Sequence, residues 1–238
     1  MKLTIAALSD THGNHREVTV PDADVLVYGG DFMTCGRKFS EVVDFANWFS
    51  NLPHAHKILI AGNHDIFMEH SLSTCLAQFE GFGLKGQFYY LQDSEVTING
   101  FKFWGSPYQP RFYDWAFNVD RGEPIKRHWD RIPEGTDVLI THGPPNGVLD
   151  QAIPTAQSSN WSSQLIVHPS EHCGCEELRK IVDRISPKVH IFGHIHGSYG
   201  HDKSLDYYAP KVTHFYNVSI CNEQYNPVNE PVLIELEK

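Results

Sequence analysis

Five short segments combine metal-ligating side chains with glycine or other turn-forming residues. They are Ser9-Asp10-Thr11-His12, Gly29-Gly30-Asp31, Ala61-Gly62-Asn63-His64-Asp65, Thr141-His142-Gly143-Pro144-Pro145 and Phe192-Gly193-His194-Ile195-His196-Gly197. Carboxylate and imidazole donors suit Mn, Fe, Zn or Ni, and a mixed set leaves positions for water and phosphate oxygens. A single Asp in such a place is ordinarily a turn or helix-capping residue, and a single His a hydrogen-bonded one. That account fails for the ordered set. The two histidines of the last segment stand two apart, so in extended backbone they face the same way. Glycine beside a ligand lets the chain turn and approach an ion without a Cβ clash.

Each segment follows an apolar run, and these runs must do the positioning. Residues 3–8, 25–28, 57–61, 138–140, 189–192 and 214–219 read as strands. Residues 39–49 and 175–185 carry helical spacing, and 66–79 is a further helical region. Glu95-Val96-Thr97-Ile98 and Phe101-Lys102-Phe103-Trp104, joined by Asn99-Gly100, read as a hairpin. The stretch 144–170, rich in Pro, Ser, Asn and Gln, reads as a long loop beside a site. The pattern predicts an α/β fold in one domain over residues 1–238, with one sheet or two left open. In open α/β sheets the segments after strand ends converge on one crevice, which would gather all five ligand blocks.

Composition narrows the partners. A formal net charge of −10 without a Lys/Arg stripe repels nucleic-acid backbones, so a long nucleic acid is not expected as substrate. Fifteen histidines agree with metal binding. The apolar opening Leu3-Thr4-Ile5-Ala6-Ala7-Leu8 runs straight into Ser9-Asp10, so it reads as a buried strand rather than a signal peptide or membrane span. Cysteines at 35, 75, 173, 175 and 221 lack the spacing of a disulfide framework, which points to a reducing cytoplasm. Oligomeric state leaves no mark on the sequence.

The five blocks, in this order, resemble the calcineurin-like metallophosphoesterase superfamily. Within it the chain is most similar to the MPPED subgroup, related to class III cyclic-nucleotide phosphodiesterases. Asn47-Trp48-Phe49-Ser50-Asn51-Leu52-Pro53, Gly105-Ser106-Pro107, Ile132-Pro133-Glu134-Gly135-Thr136-Asp137 and the proline-rich segment 227–231 carry the closer likeness. The resemblance implies a β-sandwich of two mixed sheets flanked by helices, a four-layer α/β/β/α fold. It implies two divalent metal ions, Mn foremost with Fe, Zn, Ni or Mg as alternatives. One would be held by Asp10, His12, Asp31 and His196, the other by Asp31, Asn63, His142 and His194, with Asp31 bridging. Two cations about 3.5–4 Å apart can share a hydroxide and clamp a phosphoryl group. His64 would reach the scissile phosphate as the catalytic side chain. The implied activity is hydrolysis of a small or cyclic-nucleotide phosphodiester. The alternatives are a phosphomonoesterase or protein phosphatase, and a weakly active nucleotide-binding scaffold. Vertebrate members carry Gly where this chain has His194, so the His implies a fuller metal shell.

Four other signals are weaker. His172-Cys173-Gly174-Cys175 looks like a metal clip but lacks a second pair. His54 and His56 flank a strand start and read as surface residues. Asp65 reads as a turn or capping residue, with orientation of His64 as the alternative. The aromatic segment 104–117 offers Tyr108, Arg111 and Phe112 as substrate contacts.

Overall fold

Short runs that are apolar at both odd and even positions suit strands covered on both faces. The computed structural model describes residues 2–152, 172–203 and 212–238. In β1 (Lys2–Leu8), Leu3, Ile5 and Ala7 join one core while Ala6 and Leu8 join another. β2 (Val25–Tyr28), β3 (His56–Leu59) and β4 (Gln87–Tyr90) continue the sheet in parallel. The crossovers between them contain α1 (Phe39–Asn51), α2 (Ile66–His70) and α3 (Leu72–Gly81). The expected single helical region is thus two helices, broken at Ser71, whose φ of −142° leaves the helical range.

The predicted hairpin forms as β5 (Ser94–Ile98) and β6 (Phe101–Ser106). Asn99 and Gly100 take φ of 48° and 77°, the pair of positive values that the two-residue turn requires. A short pair, β7 (Gln109–Pro110) and β8 (Asn118–Val119), precedes α4 (Glu123–Trp129) and β9 (Val138–Thr141). Then come α5 (Glu176–Ile185), β10 (Val189–Phe192), β11 (Gly200–Lys203) and β12 (His214–Asn217). β13 (Val232–Glu237) returns to lie antiparallel beside β1. The sheets run β13-β1-β2-β3-β4 and β11-β12-β10-β9-β6-β5, and both are mixed.

The sheets face each other through Leu3, Ile5, Val25, Val27 and Ile58 on one side and Phe101, Phe103, Val138, Ile140, Val189 and Ile191 on the other. α1 and α3 cover the outside of the first sheet with Val42, Phe45, Phe49 and Phe79. α4 and α5 cover the second with Ile125, Trp129, Leu178, Ile181 and Val182. This is the four-layer α/β/β/α arrangement, and it decides between one sheet and two. Phe45 stacks on Phe32 at 4.3 Å with no solvent exposure, so truncating it to Ala would cost about 3–5 kcal/mol. Parallel central strands put their C-terminal ends together, and there the sheets are tied: Ser9 N donates to Val218 O at 3.0 Å and Ile220 N to Ser9 O at 2.9 Å. Of the loop expected over 144–170, residues 144–152 are irregular, and the rest lies outside the described residues. Among the described residues no helix is long and apolar enough to cross a membrane.

Candidate active site

All five ligand blocks leave the C-terminal ends of strands and meet at one place. The first sheet supplies Asp10 and His12 after β1, Asp31 after β2, and Asn63 and His64 after β3. The second supplies His142 after β9, and His194 and His196 after β10. Asp31 Oδ2 lies 3.9 Å from His12 Nε2 and 3.4 Å from His142 Nε2, between the two groups. On one side Asp10 Oδ1 is 3.5 Å from His196 Nε2, and on the other Asn63 Oδ1 is 2.8 Å from His142 Nε2. Donor atoms of Asp10, His12 and His196 lie within 4.8 Å of one another, as do those of Asp31, His142 and His194.

Backbone carbonyls aim the imidazoles. His12 Nδ1 bonds Met33 O at 3.1 Å, His142 Nδ1 bonds Gly29 O at 2.9 Å, and His196 Nδ1 bonds Asn222 O at 3.0 Å. A carbonyl only accepts, so each Nδ1 carries the proton and each Nε2 turns a lone pair inward, which is how ligating histidines are oriented. His12 Nε2 and His196 Nε2 then face each other at 3.1 Å, and His142 Nε2 faces Asn63 Oδ1. Acceptors opposed at such distances require a proton or a cation between them, so the donor set fits divalent metal on both sides of Asp31.

Without metal, protons take those places. Burial opposes charge on His142, but Asp31 outweighs it and raises the pKa to about 9. His196 is raised too, its burial overcome by the hydrogen bond to Asp10. Burial lowers His12 to about 4, and burial reinforced by charge on His142 lowers His194 to about 3. Burial also works against ionised Asp10 and Asp31, yet their histidine partners hold both below the usual carboxylate range.

Two glycines are forced by this packing. A Cβ on Gly62 would overlap the Asp31 carboxylate, and one on Gly193 would overlap that of Asp10. Asp65 closes a turn as expected, its N donating to Gly62 O at 3.1 Å, but its side chain does more than that. It makes no side-chain cap to α2, and its carboxylate instead accepts Gly62 N and Asp31 N at 2.8 Å and Met33 N at 3.0 Å, tying two ligand loops together. His64 is oriented by the Thr34 carbonyl at Nδ1, and its ring stacks on Trp115 at 4.2 Å.

The centre opens into a cleft of about 410 Å³ lined by Asp31, Asn63, His64, His194 and His196, by Arg111, Phe112 and Tyr225, and by Arg121, His172 and Glu223. Arg111 and Phe112 therefore stand where substrate contacts were expected, whereas Tyr108 does not line the cleft. Its ring packs 3.9 Å from His128 and its hydroxyl accepts from Gln92 Nε2 at 3.0 Å, a half-buried slot that satisfies both. His54 is buried rather than on the surface, bonding Pro21 O at 2.9 Å. Cys175 caps α5 instead of joining a clip, its sulfur accepting from Leu178 N. Two aromatic neighbours escaped the sequence reading. Trp115 lay in the aromatic segment without a mark to separate it, and Tyr225, 4.8 Å from the His12 ring, sits far from every ligand block in sequence.

Known proteins share the sequence pattern and the fold. The calcineurin-like phosphoesterase family model matches residues 3–198. Human Metallophosphoesterase domain-containing protein 1 is 39% identical over 247 residues, covering 96% of this chain and 69% of that protein. UPF0046 protein K07C11.7 of Caenorhabditis elegans is 34% identical, covering 99% and 76%. Among solved structures, phosphopantetheinyl hydrolase from Mycobacterium tuberculosis superposes with a TM-score of 0.55 at 16% identity, over 96% of this chain and 95% of that one. TT1561 of Thermus thermophilus gives 0.55 at 12% identity over 92% of each, and at these identities both report the fold alone. The chain belongs to the calcineurin-like phosphoesterase family, which implies phosphoester hydrolysis with divalent metal ions.

Proposed function

We propose that the chain hydrolyses small phosphodiesters, cyclic nucleotides among them, with two divalent cations, manganese foremost. Asp10, His12, Asp31 and His196 would hold one, and Asp31, Asn63, His142 and His194 the other. The observation that carries this reading is the placement of the Asp31 carboxylate between two converging donor groups, 3.9 Å from His12 and 3.4 Å from His142. Bound cations supply charge that polarises phosphoryl oxygens and brings the pKa of water toward neutrality.

The chain's own groups do the rest. His64, held at Nδ1 by Thr34 O and braced by Trp115, has Nε2 left free for the substrate, where its imidazolium form would donate to a phosphoryl or leaving oxygen. Phe112 and Tyr225 wall the cleft with apolar surface, and its volume suits a mononucleotide-sized ester rather than a polymer. The net charge of −10 further disfavours long nucleic acids. The spacing of the five cysteines lacks a disulfide framework, in keeping with a cytoplasmic setting.

The test is a metal-reconstitution series assayed in parallel on bis-p-nitrophenyl phosphate and p-nitrophenyl phosphate. Faster metal-dependent turnover of the diester is expected. Preference for the monoester would make the chain a phosphomonoesterase, and nucleotide binding without turnover of either ester would make it a scaffold.

A further inference from the structure

Beside the metal ligands, the cleft contains a second histidine–carboxylate arrangement. Asp150 is fully buried, and its carboxylate accepts Gly147 N at 2.8 Å, Gly174 N at 3.1 Å and His172 Nδ1 at 2.6 Å. The backbone around it is pinned: Cys173 N donates to Asp150 O at 3.0 Å, and Arg121 donates to Gly174 O and Cys173 O, each at 2.8 Å. The backbone amides explain why an aspartate stands at 150. They do not explain a histidine at 172, whose side chain is 46% exposed and lines the cleft. Among the described residues its Nε2 has no hydrogen-bond partner.

We propose that His172, oriented by Asp150, is a specificity-determining residue that binds a hydroxyl on the non-reacting arm of the phosphoester substrate. The inference rests on the hydrolytic reading of the site, and it adds the chemical class of the substrate's remote part. A carboxylate accepting three donors is an acceptor only, so the proton of a neutral imidazole sits on Nδ1 and the lone pair on Nε2. That lone pair calls for an O–H donor. The surrounding wall has the same bias. Glu223 also lines the cleft and is itself an acceptor, whereas the cations Arg111 and Arg121 are engaged with Asp120 and Glu176. A second anionic group would meet carboxylates there, while a hydroxylated, sugar- or polyol-like arm meets acceptors.

A matched pair of ligands isolates the effect. Metal-loaded protein is titrated calorimetrically with glycerol phosphate and with n-propyl phosphate, which differ in their hydroxyls. The p-nitrophenyl diesters of the same two phosphates are used for turnover. Wild type should bind the glyceryl ligand roughly 3- to 10-fold more tightly, the worth of one net hydrogen bond, and show the difference in KM rather than kcat. His172→Phe should reduce that ratio to about one while n-propyl phosphate affinity and metal content stay unchanged; His172→Gln, which keeps an acceptor, should retain part of it. Equal binding of the two ligands by wild type, failure to bind either, survival of the ratio in His172→Phe, or equal loss for both ligands would each overturn the proposal. If the binding ratio behaves as expected but neither diester is cleaved, the subsite stands and the hydrolytic reading falls. Turnover of both diesters with equal KM and equal binding is the reverse result.

Discussion

Stripped of divalent cations, the chain should lose stability as pH rises from about 6.5 to about 9, and reloading should remove that slope. In the folded chain His142 is raised to about 9 because Asp31 overcomes the penalty of burial. An unfolded histidine titrates near 6.5. Between those values the folded state holds a proton that the unfolded state has lost. Its contribution is therefore complete below about 6.5 and disappears as pH passes the folded pKa. Two to three pH units at about 1.4 kcal/mol each give on the order of 3 kcal/mol, a large share of a typical 5–15 kcal/mol margin. His196, also raised, acts in the same direction. Below about 6.5 the slope reverses, because His12 at about 4 and His194 at about 3 stay neutral when folded and resist protonation. Asp10 and Asp31, both depressed, add stability that is lost as acid protonates them. Metal binding needs the Nε2 lone pairs, so it must expel the protons held on the raised histidines. Urea unfolding of chelator-treated protein across pH gives the profile. Calorimetric metal titration near neutral pH, in buffers of different ionisation enthalpy, counts the protons released. Asp31→Asn should flatten the alkaline limb by removing the carboxylate that raises His142. A level metal-free profile between about pH 6.5 and 9, or a binding heat independent of buffer, would refute the reasoning.

Asp31→Asn should also leave fewer than two cations per chain by elemental analysis; full stoichiometry would contradict a bridging carboxylate. His64→Ala should lower kcat by roughly 10²–10⁴-fold with both cations retained, and loss of metal would make His64 a ligand instead. His194→Gly should empty one metal position and slow diester turnover without unfolding the chain. Unchanged occupancy and rate would remove His194 from the shell.

The strands were legible because their apolar runs stop where the ligand blocks begin. Residues 25–28 and 189–192 coincide with β2 and β10 for that reason. β13 is harder to see although Leu-Ile-Glu-Leu-Glu alternates, since an edge strand that buries only one face lacks the continuous apolar run of the central strands. The helical region at 66–79 showed no break because Ser71 interrupts it without Gly or Pro. In the site, the ligand types could be read from residue identity. What aims them could not: the carbonyls of Gly29, Met33, Thr34 and Asn222 are backbone atoms, available at any residue. Asp65 resembled any aspartate before a helix until its three amide partners were visible. Tyr225 and Trp115 reach His64 only through the tertiary fold.

Four of the proposed ligands share a further property hidden in the sequence. Asp10, His12, Asp31 and His194 have φ of 53°, 43°, 59° and 68°, in the left-handed region that side chains with a Cβ rarely adopt. Each such residue costs about 1–2 kcal/mol, so together they consume an amount comparable to a domain's whole stability margin. The strain is held by bonds across the strand ends: Asp10 N to Gly30 O at 2.9 Å, His12 N to Asp31 O at 3.1 Å, and His194 N to the Asp10 carboxylate at 3.1 Å. Asp, Asn and His tolerate this conformation better than most residues, which lets one residue type satisfy both the turn and the metal. The choice of probes follows. Asp31→Asn keeps the backbone tolerance while removing the charge, whereas a β-branched residue there would confound ligand loss with misfolding. At His194 a glycine accepts φ of 68° without strain, at about 0.5–1 kcal/mol of extra unfolded-chain entropy, so the two effects nearly offset. A metal deficit in His194→Gly would therefore report the missing imidazole and not a weakened fold.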